Sequence, residues 1–290
     1  MTARIFRLFA LFAAFGLLAA AVGLNQAGAA ESQVGLGTAA SFAVIGGTTV
    51  TNTGPSTVGG DIGVSPGTVF TGFPPGKQSS GTIHQTDAVA AQAQADVTTA
   101  YNDAAGRTPF TTVAADLGGT TLVSGVYRGG TLGLTGTLTL DAKGDPSAVF
   151  IFQAASTLIT TSASQVALTN GANACNVYWQ VGSSATLGTN STFVGTVLAL
   201  TSITAQTGAS IQGRLLARNA DVTLDNNTIT NGCANTTATT TTTTSAVTTS
   251  AVTTTAVTTT APPAPTATPT RVLSEADAAT PVAATPRFTG

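Results

Sequence analysis

The chain has 290 residues, 42% hydrophobic and only 8% charged, with a formal net charge of −2. That balance excludes electrostatic attraction to nucleic acid or to an anionic membrane as a basis for function. With 32 glycines and an abundance of Thr and Ala, it also disfavours a typical cytosolic enzyme. Roughly 200 residues remain once both ends are set aside, enough for one domain with a real core.

Residues 1–30 read as a secretory signal peptide. Arg4 and Arg7 precede an apolar run over 8–24, and Ala27, Gly28 and Ala29 follow it. This is the order of charge, apolar stretch and small-residue cleavage site that directs export. The alternative is a membrane anchor, for which the run is borderline in length.

The folded domain is expected over 31–233. Within 31–76, VTNTGPSTV at 50–58 parallels ITAQTGASI at 203–211, and Val58, Gly60 and Ile62 align with Ile211, Gly213 and Leu215. One coil of a repeat is therefore expected far ahead of its relatives, which makes the architecture discontinuous in sequence. Pro66-Gly67 and the PPG at 74–76 end this part with turn chemistry.

A helix is predicted over about 87–105, with Thr86 as its N-cap and Gly106 as its stop. Val89, Ala93, Val97 and Tyr101 recur four apart and give one apolar stripe. Ala and Gln, both good helix formers, fill much of the rest. Residues 107–120 read as a linker with Pro109 and Gly118-Gly119. Strands are expected again over 122–127 and over 131–140, where Leu alternates with Thr or Gly. AVFIFQ at 148–153 is another, with Phe152-Gln153 matching Trp179-Gln180. Residues 160–166 form a hydroxyl-rich edge.

Residues 176–193, 194–211 and 212–229 are three 18-residue copies of one unit, aligned without a gap. A period near 20 marks a solenoid in which each copy is one coil. Trp179, Val197 and Leu215 share a column, and so do Phe193, Ile211 and Ile229. A third column holds Leu187 and Ala205 with Val222 or Leu224. Three inward columns imply a triangular cross-section with a short strand on each side. One side also points Tyr178, Leu198 and Leu216 outward, and a sheet apolar on both faces is normally covered. The helix is predicted to cover it. The other two sides present hydroxyls: Thr186, Thr204 and Thr223 on one, and Thr192, Ser210 and Thr228 on the other, with Thr189 and Thr207 just before them.

Cys175 and Cys233 bracket the three copies. Export permits a disulfide between them. Three coils at ~4.8 Å per strand separate the two by about 14 Å, against a Cα limit of ~7 Å, so 230–233 would have to fold back along the stack. Residues 234–290 read as a Thr/Pro-rich disordered stalk or tail, because 234–270 are nearly all Thr, Ala, Ser, Val and Pro and cannot bury enough apolar surface to order. TPRFTG at 285–290 faintly resembles a sortase anchoring signal, which would attach the tail to a cell wall. No apolar tail or basic cluster follows it, and a plain terminus is favoured.

Catalytic chemistry finds little support. His84 is the single histidine and has no partners for a metal site or a triad; a solvent or capping role is expected. The acids are scattered. Asp221 and Asp225 share a coil, but the gap-free alignment puts Ala185 and Ile203, and Thr189 and Thr207, in their columns. No pair of facing carboxylates is built, which argues against a glycosidase. Arg214 and Arg218 are expected to flank the helix or solvate an edge. The chain therefore reads as a non-enzyme, likewise without a metal or small-molecule cofactor. What it offers instead is an uncharged array of Thr hydroxyls and methyls ~4.8 Å apart along the axis, fit to order water on a rigid surface that incurs little entropy on binding.

Several motifs carry a family resemblance. They are LGTAASFAV at 36–44, GDIGVSPG at 60–67, the Ala-rich helix, VFIFQ at 149–153, WQVGSS at 179–184, LTSIT at 200–204, GRLLA at 213–217 and VTLDNNTI at 222–229. Together they make residues 35–232 resemble the microbial ice-binding protein family. The resemblance implies a right-handed discontinuous β-solenoid with one long helix alongside, and adsorption to ice that depresses freezing or inhibits recrystallisation. Some members carry a loose T-A/G-x-T/N motif on the ice-binding face. Thr207-Gly-Ala-Ser210 approximates it, Thr189-Asn-Ser-Thr192 and Asp225-Asn-Asn-Thr228 depart further, and Thr204-Ala-Gln-Thr207 fits the letters but begins on the adjacent side. The first-choice ice-binding residues are Thr57, Thr137, Thr189, Thr192, Thr207, Ser210 and Thr228. Thr186, Thr204 and Thr223 form the second-choice face. The expected partner is ice or ordered water, and the expected state is a secreted or surface-displayed monomer. The alternative is a cell-surface adhesin or structural solenoid that binds glycan or another cell.

Overall fold

β-branched and aromatic residues alternate with small polar ones through most of the domain, and short strands separated by Gly, Asn and Ser turns are the result. The structure, a computed structural model, describes residues 31–232. The signal segment expected over 1–30, Cys233, and the tail expected over 234–290 lie outside the described residues.

Before the helix come β1 (Phe42–Gly46), β2 (Thr49–Asn52), β3 (Thr57–Gly59), β4 (Asp61–Val64), β5 (Val69–Thr71), β6 (Lys77–Ser80) and β7 (Ile83–Gln85). The helix α1 is Ala88–Gly106. After it come β8 (Thr111–Thr112), β9 (Thr121–Val123), β10 (Gly125–Gly129), β11 (Leu132–Leu134), β12 (Thr137–Asp141), β13 (Phe150–Ala154), β14 (Leu158–Thr160) and β15 (Gln165–Thr169). The chain continues through β16 (Val177–Val181), β17 (Ala185–Leu187), β18 (Thr192–Ala199), β19 (Ile203–Ala205), β20 (Ser210–Ala217), β21 (Val222–Leu224) and β22 (Thr228–Thr230).

Successive coils lay these strands on three sides, and neighbouring strands pair in parallel. The first side runs β8, β10, β13, β16, the second half of β18, the second half of β20, β1, β4, β7. The second is a separate seven-stranded sheet in the order β11, β14, β17, β19, β21, β2, β5. The third runs β9, β12, β15, β18, β20, β22, β3, β6. The coil built from β1, β2 and β3 thus stacks on the last coil of the C-terminal half, and the solenoid is discontinuous in sequence as expected. β18 and β20 bend from the third side to the first at Gly195 and Gly213, whose φ values are 113° and 150°. A Cβ on Gly213 would lie 2.0 Å from the Gly195 carbonyl oxygen, so the bend demands glycine.

The inward columns are those read from the repeat. Trp179, Val197 and Leu215 are in register, as are Phe193, Ile211 and Ile229. Tyr127, Phe152, Trp179 and Phe193 form an aromatic file with ring centroids 5.5, 4.0 and 5.1 Å apart in turn. The third column resolves as Leu187, Ala205 and Leu224. The gap-free alignment is corrected here: Ile203 pairs with Val222, one position later than that alignment requires. Leu200, Thr201 and Ser202 join Ala199 to Ile203, whereas Arg218, Asn219, Ala220 and Asp221 join Ala217 to Val222. The next corner is one residue shorter and restores the register by Ser210 and Thr228.

Helix α1 covers the first side, packing Ala93, Val97, Ala100 and Tyr101 in one cluster with Tyr178, Leu198 and Leu216. Its N-cap is Asp87 rather than Thr86, because the Asp87 carboxylate accepts the Ala90 N–H at 2.8 Å while Thr86 takes a left-handed φ of 55°. The buried stripe starts at Ala90; Val89 is 45% exposed. His84 has a capping-adjacent place, with Nδ1 2.7 Å from the Asp87 carboxylate. The helix runs through Gly106. Its last carbonyls are met by the solenoid, as the Gln153 amide donates to the Ala104 and Arg107 oxygens at 2.8 and 3.0 Å.

Two further expectations are corrected. Residues 107–120 are part of the stack, since β8 pairs with β10, Asp116 bridges to Gly133 and Leu117 is buried. The alternating run at 131–140 splits at Gly136 into β11 and β12 on different sides. Arg214 solvates no edge either. It is 3% exposed and donates to the Ala40 carbonyl at 3.0 and 2.8 Å, pinning the 3-10 turn Gly37–Ser41 beside the helix. Burial lowers its pKa to about 10. Arg218 does flank the helix, over the Tyr101 ring. Cys175 is disulfide-bonded.

Two measurements check this packing. Gln153→Ala strips the helix end of buried partners and should cost about 1–3 kcal/mol, read as a fall of several degrees in Tm. The second concerns acid. Lys143 and then Asn170 hold the Asp141 carboxyl down at about 2, below its ordinary 3.8, and the Gly118 and Thr135 N–H groups lower Asp116. A depressed carboxylate stabilises the fold above its unfolded pKa and loses that contribution as pH falls. Tm should therefore hold steady down to pH 3.8 and drop towards pH 2, with a smaller drop in Asp141→Asn.

Candidate functional site

The two sides left bare by the helix differ in regularity. On the seven-stranded side the three-residue strands β11, β14, β17, β19 and β21 each turn the middle residue outward and bury its two neighbours. Thr186, Thr204 and Thr223 are half-buried between the inward pairs Ala185 and Leu187, Ile203 and Ala205, and Val222 and Leu224. They stand in register with one another. The column continues into the N-terminal coils as Thr51 and Thr71, and in the other direction as Ile159 and Gly133. Five threonines thus occupy consecutive rungs, spanning roughly 19 Å at ~4.8 Å per rung. No register shift interrupts this sheet.

A second outward column lies two residues ahead of the first, since side chains on a strand return to the same face every second residue. It carries Thr157, Ser184, Ser202, Asp221 and Thr49, which directly precede the inward residues Leu158, Ala185, Ile203, Val222 and Val50. Ser202 donates to Asp221 Oδ1 at 2.7 Å. This replaces the expected column for Asp221, which lies beside Ser202 because of the extra corner residue. Asp225 accepts a hydrogen bond from Thr207.

The third side carries Thr137, Gln165, Thr192, Ser210, Thr228, Thr57 and Lys77 in one register. The structure thus aligns five of the seven first-choice residues, including the distant Thr57 and Thr137. Two features set this side apart. Gln165 and Lys77 put long side chains among the hydroxyls. The sheet is held between β15 and β18 by the single residue pair Gln165 and Thr192, and it shifts register between β3 and β6.

Thr189 and Thr207 belong to neither flat. They sit at the corner between the two sides, just before the left-handed residues Asn190 and Gly208 (φ 54° and 73°). Buried Ser191 and Ala209 separate them from Thr192 and Ser210. Thr204-Ala-Gln-Thr207 therefore starts on the seven-stranded side and ends at its rim, as do Thr186-Leu-Gly-Thr189 and Thr223-Leu-Asp-Asn226. Thr51 and Thr71 were missed by sequence reasoning. The signal for Thr51 existed, because aligning 50–58 with 203–211 places it under Thr204.

Fold and surface together define a class of protein: a β-solenoid with one side covered by a helix and a regular hydroxyl-bearing sheet left bare. Residues 44–230 match the Ice-binding-like family, and the chain belongs to it. An ice-binding protein of Nostoc sp. (strain HG1) is 54% identical over 201 residues, covering 68% of this chain and 74% of its own. One from Flavobacterium frigoris (strain PS1) is 36% identical over 221 residues, covering 71% and 79%. Among solved structures, an ice binding protein from an Antarctic biological consortium aligns with a TM-score of 0.68 at 51% identity, over 69% of this chain and 92% of that one. An ice-binding protein of the Antarctic ascomycete Antarctomyces psychrotrophicus aligns with a TM-score of 0.66 at 47% identity, over 69% and 98%.

Proposed function

We propose that this protein is exported and binds ice through its seven-stranded side, restraining ice growth or recrystallisation as a monomer without catalysis or cofactor. The observation that carries the reading is the uninterrupted column Thr186, Thr204, Thr223, Thr51 and Thr71. A rigid rung spacing holds methyls and hydroxyls in a row before any ligand arrives, so little ordering entropy is lost on adsorption. The side first favoured from sequence ranks second, because Gln165, Lys77 and the interrupted pairing make it less regular. Export draws support from the disulfide at Cys175, a bond suited to an oxidising compartment; in this reading its partner is Cys233. The tail then serves as a stalk or tether at the cell surface.

Slow ice growth from a solution of the purified protein tests the reading. Wild type should enter the ice and shape the crystal, Thr204→Tyr should do neither while keeping its fold, and Ser210→Tyr should behave as wild type. The reverse pattern would move activity to the third side. Exclusion of the wild type from ice would favour the surface adhesin. Reducing the disulfide should lower stability by about 2–5 kcal/mol, seen as a lower Tm in reductant.

A further inference from the structure

Two carboxylates stand on the bare seven-stranded side and its rim, where a charge is out of place. Asp221 and Asp225 flank β21 on one rung, and both are half-buried. Asp221 engages hydroxyls of the proposed surface, and Asp225 engages one at its rim. Asp221 accepts from Ser202 at 2.7 Å through Oδ1 and from Thr223 at 3.4 Å through Oδ2. Asp225 accepts from Thr207 on the preceding coil. Thr51, on the following coil, donates to the Thr223 hydroxyl at 3.4 Å.

An ionised carboxylate only accepts, and a Ser or Thr hydroxyl has one proton and two lone pairs. Ser202 and Thr207 therefore turn their protons to the two acids, and Thr223 leans the same way over a longer contact. With the Thr223 proton turned to Asp221, Thr51 spends its own on Thr223. Ser202 and Thr207 are left with lone pairs alone to offer outward, and the longer contacts bias Thr223 and Thr51, on the next two rungs, in the same sense. Hydroxyls without such partners rotate and present either donor or acceptor.

Resting on the ice-binding reading above, we propose that Asp221 and Asp225 are positioning residues that fix the polarity of this hydroxyl patch, so that it meets ice as a set of preoriented acceptors for surface O–H groups. The bonds to ionised acceptors are the strong, charge-assisted kind, and a fixed orientation removes rotor entropy that adsorption would otherwise cost. The opposite expectation is also physical. A carboxylate loses hydration when a surface is covered, so removing the two charges could improve adsorption. The sign of the effect separates the two.

The experiment measures thermal hysteresis at equal protein concentration for wild type, Asp221→Asn/Asp225→Asn, Ser202→Ala/Thr207→Ala, the combined quadruple variant and Thr204→Tyr, with circular dichroism confirming the fold. The Asn pair should show roughly a threefold loss, and adding it to the Ala pair should cause almost no further loss, since acids acting through those hydroxyls are coupled to them. Unchanged or raised hysteresis in the Asn pair overturns the proposal, as does an additive loss in the quadruple variant. Should the Asn pair not fold, Asp221→Asn and Asp225→Asn singly carry the same expectation. Thr204→Tyr keeps the two readings apart. Loss there with a wild-type Asn pair overturns the role of the acids alone, whereas full activity of Thr204→Tyr removes the face itself and this proposal with it.

Discussion

Parallel pairing of backbone N–H and C=O groups from rung to rung is the constraint that the remaining structure inherits. Each bond contributes only about 1 kcal/mol net, but the ladder repeats on three sides and sets one spacing, ~4.8 Å, for every column. Inside, that spacing stacks like on like: Tyr127, Phe152 and Trp179 overlap along one file. The indole N–H of Trp179, with no solvent in reach, donates to the Val194 carbonyl at 3.0 Å. Outside, the same spacing holds whatever side chain is present. The chemistry of a bare side is therefore set by composition and its periodicity by the backbone.

The covered side shows what happens where both faces of a sheet are apolar. Tyr178, Leu198 and Leu216 need a partner, and an Ala-rich helix provides a close one. A stripe of alanines is smooth, however, and by itself gives the helix little reason to hold one axial position. Three buried glutamines provide that reason. Gln94 reaches from the helix to the Ala217 carbonyl, Gln180 from the sheet to the Tyr101 hydroxyl, and Gln153 to the helix end. Each acts on a different rung. Buried amides left without these partners would be costly, so the helix is fixed along the stack by polar bonds within an apolar interface.

Legibility in the sequence followed the same division between ladder and corner. Columns such as Trp179, Val197 and Leu215 were readable because paired strands force equal spacing of inward residues. The distant Thr57 and Thr137 could be added to Thr192, Ser210 and Thr228 for that reason. Corners carry no such repeat. Thr189 and Thr207 looked continuous with the strands after them, although a left-handed residue and a buried small residue intervene. The stretch 107–120 lacks alternation because an end coil pairs on one edge only, so little of its pattern is enforced. Thr86 and Asp87 are both acceptable N-cap residues, and the backbone geometry settles it in favour of Asp87. Arg214 is buried because the turn Gly37–Ser41 folds over it, a contact between segments far apart in the chain.

The coil containing β21 shows why the bare side can change its chemistry without losing its period. Four residues, Arg218 to Asp221, replace the three that turn the previous corner, and Asp225, Asn226 and Asn227 then replace four. Strand register is out by one residue only within β21's own side relative to a gap-free repeat, and it is regained at Thr228. A turn can absorb a residue because its backbone is not committed to the ladder; an insertion within β21 would send Thr223 inward and Val222 or Leu224 to the surface. The compensated pair of changes sets Thr204 beside Thr223 and Ser202 beside Asp221, while Asp225 stays beside Thr207 as a gap-free repeat already has it. Corners are thus where this solenoid places chemistry that its strands, bound to a single repeating row, do not supply.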